Sequence, residues 1–267
     1  MFLEPSQKFC PACGQKTDTH RLTMPHFSHE LFHAFTHTDK SIFQLLKQLA
    51  TRPGTTAREY IQGKRVSYFN PFTFFLILMG LFVFSNMYFK PPMEKREPDP
   101  RVLQYMPNAQ AKAQYISMMH RVNNAMTVFQ KHGNVVAMIA VPFFSLFTWA
   151  FFRRKKYNYA EHLTANMLFI AFSNLIFTIV IFPLQAMIHG PAQNVFIIGA
   201  MLLQAVYIAW SLNGFLLLAP GWPRVKSFAV SLFCVGLWLL FSLTVMALYI
   251  YQNGDFYKFF GRMMGAK

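Results

Sequence analysis

Five stretches of this chain contain no Asp, Glu, Lys or Arg: residues 71–89, 135–152, 163–188, 195–219 and 228–251. A helix crosses a bilayer core with about 20 mainly apolar residues, because its backbone groups must all be satisfied within the segment. All five stretches read as membrane helices, the second being the shortest. The expected fold class is therefore all-α. It is a polytopic α-helical membrane bundle with about five transmembrane helices and a short N-terminal zinc-knuckle-like head. Composition points the same way, since only 13% of the 267 residues are charged, about half the usual share in soluble domains. Three Cys are too few for a secreted disulfide scaffold. The 54% hydrophobic content excludes a disordered chain. The first 15 residues are polar and lack the apolar core of a cleaved signal peptide.

Orientation follows from the short loops, because Lys and Arg gather on the cytoplasmic side. Arg153, Arg154, Lys155 and Lys156 precede the third stretch, and the turn after it, residues 189–194, has neither type. That contrast places the basic run inside. An odd number of spans then puts the N-terminal 70 residues inside and the tail, residues 252–267, outside. Arg153 to Lys156 are expected to face lipid, with anionic lipids as partners. Arg58, Lys64 and Arg65 also lie close to the first span, and each gains about 1 kcal/mol beside an anionic surface. The net charge of +15 is not a nucleic-acid signal, because no recognition module is present and the basic groups flank the spans. Between the first two spans, a Pro-rich start to residues 90–134 gives way to Tyr115, Met119, Val122, Met126 and Phe129. Their spacing predicts one helix with a single apolar face.

The ionisable chemistry is left mostly to the head, residues 1–24, and to residues 25–70. Cys10-Pro-Ala-Cys13-Gly14 is half of a metal knuckle. Two thiolates two residues apart grip one Zn²⁺, and four ligands complete a structural site. His29 and His33 complete C-x2-C-x15-H-x3-H, and they fall one helical turn apart. The metal set is then Cys10, Cys13, His29 and His33, with zinc the cofactor. A Cys pair that binds metal across a homo-oligomer, or binds none, is the alternative. His29-Glu30-Leu31-Phe32-His33 also spells H-E-x-x-H, in which Glu30 would activate a zinc-bound water. A region with five histidines makes a chance match easy, and the motif lies about 40 residues before a span rather than within one. Asp39 reads as an N-cap for a helix carrying Ile42, Leu45, Leu46 and Leu49, and Arg52-Pro53-Gly54 reads as its stop. With an earlier helix that carries Phe27, Leu31 and Phe35 on one face, two short amphipathic helices precede the first span, expected to dock under the membrane.

Several strings together resemble a bacterial family of uncharacterised multi-span membrane proteins. They are Cys10-Pro-Ala-Cys13-Gly14-Gln15-Lys16, His33-Ala-Phe-Thr-His37-Thr-Asp39-Lys40, Arg52-Pro53-Gly54, Glu59-Tyr60-Ile61-x-Gly63-Lys64-Arg65 and Asn70-Pro71-Phe72. A weaker echo is Tyr157-x-Tyr159-Ala160-Glu161-His162. The resemblance implies a zinc-ribbon-like head joined to a membrane bundle, in the bacterial inner membrane, and implies no activity. Many members carry an earlier Cys pair, which this chain lacks. Under the orientation above, Arg52, Tyr60, Gly63, Lys64, Arg65, Glu161 and His162 all fall on the cytoplasmic side. Glu161 and His162 are expected either to bond one another or to cap and pack a helix end.

Three function classes remain. Strongly polar groups within the spans are Asn86, Asn166, Asn174, Gln185, Gln204 and Asn213, and no carboxylate joins them. A proton- or cation-coupled pump is disfavoured on that ground, while a pore formed by oligomerisation stays open. Pro142 and Pro183 are expected to kink the second and third spans. A zinc hydrolase would use His29, Glu30 and His33. A non-enzymatic binding, assembly or regulatory membrane protein fits the sequence best.

Overall fold

The structure is a computed structural model. It describes residue 8 and residues 41–66, 68–89 and 96–252, apart from the side chains of Ser41, Asn86, Phe129, Gln130 and Asn134. Every regular element among the described residues is helical. Two short helices come first, α1 (Ser41–Thr51) and α2 (Pro53–Ile61). Then come α3 (Pro71–Phe89), α4 (Pro100–Gln104), α5 (Ala109–Lys131) and α6 (Gly133–Phe151). A basic 3-10 turn, Arg153–Lys155, leads into α7 (Tyr159–Ile176), a π-helical turn (Phe177–Ile181) and α8 (Phe182–Met187). The last described helices are α9 (Ala192–Phe215) and α10 (Trp222–Tyr251).

Among the described residues four helical runs are long and apolar enough to cross a membrane: Pro71–Phe89, Tyr159–Met187, Ala192–Phe215 and Trp222–Tyr251. The second charge-free stretch forms a shorter apolar helix, Val135–Phe151. Two of these helices take in charged residues ahead of their charge-free stretches. Helix α7 starts at Tyr159 because Asn158 and Glu161 form a capping box. The Asn158 side chain accepts from the Glu161 amide (2.9 Å), and the Glu161 carboxylate accepts from the Asn158 amide (2.7 Å). Helix α10 starts at Trp222, so Arg224 and Lys226 lie in its first two turns. There they donate to the carbonyls of Leu218 and Phe151. A charge at the end of a span is tolerated when its head reaches polar groups.

Helices α6, α7, α9 and α10 pack as a ring in that order, with α3 laid against α6 and α7. Aromatic pairs join the walls: Phe143 on Trp238 at 5.2 Å, and Phe172 on Tyr207 at 5.4 Å. Helix α5 lies across α3, α6 and α10, with Tyr115, Met119, Val122 and Met126 half-buried. Lys226 on Phe151, and Tyr157 packed on Phe215 at 4.5 Å, gather one set of loops at one end of the bundle. Arg121, which donates to the Ile250 carbonyl at 2.6 Å, marks the opposite end.

Pro183 shapes the long third run. A proline has no N–H to continue the ladder, and its ring crowds the preceding turn. The chain answers with the π turn, in which the Phe182 amide reaches back five residues to Phe177. The next carbonyl in that register, Thr178, would need a donor at 183. The buried Ser85 hydroxyl of α3 supplies one at 2.9 Å.

Candidate functional site: a helix docked on the charged end of the bundle

Arg52-Pro53-Gly54 was read above as a stop. Helix α1 does end at Thr51, but Pro53 opens a second helix at the position where a missing N–H costs nothing. That helix, α2, seats itself between α7 and α9. Its Gly54 faces Gly214 near the end of α9. A methyl group on Gly54 would overlap the Ser211 carbonyl and the Phe215 amide, and one on Gly214 would lie 3.1 Å from the Gly54 Cα. Two facing glycines thus let two backbones touch. Arg58 fastens the contact by donating from Nη1 to the Gly214 carbonyl at 2.8 Å. That oxygen belongs to the last turn of α9, where carbonyls lack helical partners and a cation is favoured. Helix α1 is tied to the same wall by Tyr207, whose hydroxyl donates to the Leu49 carbonyl at 3.2 Å. Leu45, Leu49, Ala57, Tyr60 and Ile61 are buried in this seat.

The turn from α2 to α3 explains the Glu59-to-Arg65 string. Gly63 sits at φ 107°, a conformation that favours glycine, so the chain reverses there. Lys64 then folds back to donate to Glu59 at 2.8 Å, and the Tyr68 hydroxyl donates to the same carboxylate oxygen at 2.7 Å. Arg52 approaches the other oxygen at 3.6 Å. The Lys64 hydrogen bond holds the Glu59 carboxyl below its usual value; the Tyr68 bond and the Lys64 and Arg52 charges add to this, against the upward pull of partial burial. Tyr68 is pushed well above the ordinary phenol range, first by burial and then by Glu59. Arg65 lies over the Tyr60 ring at 5.9 Å.

Of the residues singled out in sequence, Arg52, Tyr60, Gly63, Lys64 and Arg65 therefore meet in one place. Their centre is Glu59. The reading held Glu59 only as part of a string, Arg58 only as a base near the first span and Gly54 only as part of a stop, and it did not name Tyr68. One signal was available, because Glu59 is the sole acidic residue between Lys40 and Glu94, amid several bases.

Glu161 and His162 lie on the far wall of the seat and take separate roles. Glu161 is buried in its capping box. His162 is fully buried and turns its Nδ1 to Thr148 Oγ1, 3.2 Å away on α6. Asn166 donates to the same oxygen at 2.8 Å, and more weakly to Ser145 Oγ at 3.3 Å. The ring of His162 meets the edge of Phe215, the residue beside Gly214. His162 Nε2 and Asn166 Oδ1 have no partner among the described residues. Arg153, Arg154, Lys155 and Lys156 are exposed around the same end, with Arg153 over the Trp149 ring at 5.0 Å.

Cys10, Cys13, His29, Glu30 and His33, the zinc set and the H-E-x-x-H glutamate, lie outside the described residues, as do Asp39 and the tail from residue 253. Among the described residues no three His, Cys, Asp or Glu side chains gather as metal ligands.

The segment that builds the seat is also the segment with a relative. Residues 39–83 match the model of a protein family of unknown function, DUF3667. The matched segment spans α1, α2 and most of α3, so it contains Gly54, Arg58, Glu59 and Tyr68 but not their partners on α7 and α9. No curated protein and no solved structure matches the chain.

Proposed function

We propose that this is a non-enzymatic bacterial inner-membrane protein with five spans and a cytoplasmic N-terminal head, and that it serves in binding, assembly or regulation. In this reading the head and the bundle form one coupled unit. The observation that carries it is the seating of α2 against α9 through Gly54, Gly214 and Arg58. A helix held backbone-to-backbone transmits displacement, because a close-packed contact has little slack. Whatever the head binds is then felt at the ends of α7 and α9.

Cys10, Cys13, His29 and His33 hold one zinc in this reading, and the metal orders the head rather than catalysing a reaction. Arg153 to Lys156 face anionic lipid on the cytoplasmic side. Their exposure supports this, and so does the gathering of Arg58, Lys64 and Lys226 at the same end.

Zinc content and thermal unfolding, measured together on the purified full chain, test the coupling. The expected result is about one zinc per chain, lost in Cys10→Ser/Cys13→Ser, with the unfolding temperature of the bundle lowered as well. About half a zinc per chain would instead point to a site shared between two copies. An unchanged unfolding temperature after zinc loss would reject the coupling. For topology, a reporter fused after Lys267 is expected to respond as extracytoplasmic. A cytoplasmic response would remove the five-span count.

A further inference from the structure

The ring of α6, α7, α9 and α10 does not close on itself. It leaves a partly open cavity of about 350 Å³ in the half of the bundle away from α2, within the range of small-ligand sites. The cavity runs along α6 from Gly133 to Phe144, about 16 Å at the helical rise. Phe144, Phe177 and Trp238 supply most of its aromatic wall. Among the described residues no Asp, Glu, Lys, Arg or His lines it. Its polar side chains are Asn174, Gln185, Gln204 and Ser242.

Gln204 decides what the cavity is for. It lies midway along α9, a run apolar enough to span a membrane. A glutamine amide at that depth has two donors and an acceptor to satisfy, and leaving them unmet in an apolar medium costs several kcal/mol. Polar side chains in spans commonly meet this by bonding a neighbouring helix. Among the described residues the Gln204 amide bonds none, and neither does that of Gln185. Asn174 has only a weak contact, 3.7 Å to the Met79 sulfur. Two amides on facing helices, α7 and α9, thus border one apolar cavity with unused hydrogen-bonding capacity.

We propose that the cavity binds a neutral single-chain lipid carrying a hydroxyl or carbonyl head. The head bonds Asn174 and Gln204 at mid-bundle, and the chain runs outward past Phe177 and Trp238 to the mouth beside Gln185. A neutral head fits the described lining, which offers no charged side chain to offset the desolvation of an ion. The volume suits one chain. This inference needs the bundle to sit in a bilayer, but it needs neither the zinc head nor the proposed orientation.

The test uses the full chain in liposomes with hexadecanol bearing a diazirine in its chain. Photolabelling is expected to saturate and to map to peptides containing residues 170–204 and 235–242. Unlabelled hexadecanol should compete, and hexadecane should compete at least about tenfold less well, the difference made by one or two buried hydrogen bonds. Gln204→Leu keeps the size but removes the amide, so it should erase the preference for alcohol over alkane. Ala200→Phe fills the cavity and should abolish saturable labelling. Should that variant fail to elute as folded protein, Ala137→Phe on the opposite wall serves in its place. Labelling that does not saturate and spreads over the lipid-facing helices would overturn the proposal. So would an alcohol preference that survives Gln204→Leu.

Discussion

Gly54 is the residue on which most of the docked end rests. In an isolated helix, replacing glycine by alanine gains up to about 1 kcal/mol. Here the added methyl would meet the backbone of Ser211 and Phe215, which has no rotamer with which to yield. Overlap dominates propensity, so Gly54→Ala is expected to destabilise the protein by about 2 kcal/mol or more. Gly214→Ala should cost less, because its methyl would be merely tight against the Gly54 Cα. Thermal unfolding in detergent checks both. Glu59 gives a second residue-scale expectation. Its carboxyl is held below the ordinary value by Lys64, Tyr68 and Arg52. The stability it contributes is therefore fully present above the ordinary carboxylate value, and it is lost as pH falls through the lowered one. Wild type should be more stable than Glu59→Gln at pH 7, and the gap should close in acid. A gap independent of pH would mean that the charge of Glu59 is irrelevant.

At the scale of elements, the π turn and Ser85 make a unit. If Pro183 withholds the donor and Ser85 replaces it, the two side chains are energetically coupled. Ser85→Ala should cost about 1–2 kcal/mol, the penalty for a buried carbonyl left unpaired. In a Pro183→Ala background, which restores an N–H, the same change should cost much less. A double-mutant cycle with no coupling would show that the carbonyl is satisfied otherwise. The apolar runs were legible in the sequence because absence of charge over about 20 residues is a local property. Their ends were not, because charge-free counting stops at Glu161 and Lys226, whereas the helices use these residues as a cap and as a reach to polar groups. Helix α2 was hidden for a different reason. Arg52-Pro53-Gly54 carries real terminator chemistry, and the surface that makes a helix worth forming beyond it belongs to a segment 156 residues away.

For the whole molecule, the same division holds between what neighbours in sequence specify and what only assembly specifies. The bases at the docked end could be read as a charged face, since they flank apolar runs. That Glu59 stands at the centre of that cluster, or that Asn174 and Gln204 border one cavity, depends on which helix faces converge. Periodicity in a uniformly apolar span does not reveal this, because such a helix has no polar side to orient it. A prediction at this scale follows from the seat. Deleting residues 41–62 uncovers the buried backs of α7 and α9, including Phe215 and His162. The truncated bundle should therefore gain protease cleavage in the loops at residues 152–158 and 216–221, with no new cleavage at the opposite end. Uniform cleavage at both ends would mean that the seat holds the whole bundle rather than one end of it.

The contact between Gly54 and Gly214 also sets a timetable. A ribosome adds about 5–20 residues per second, so Gly214 follows Gly54 out of it by roughly ten seconds or more. During that interval the first two helices are finished while their seat does not yet exist. Leu45, Leu49, Tyr60 and Ile61, buried in the end, stay uncovered on that side for the whole interval. The N-terminal segment is thus made first and locked last. A chain that stalls before α9 would carry α1 and α2 with the wall they pack on still missing.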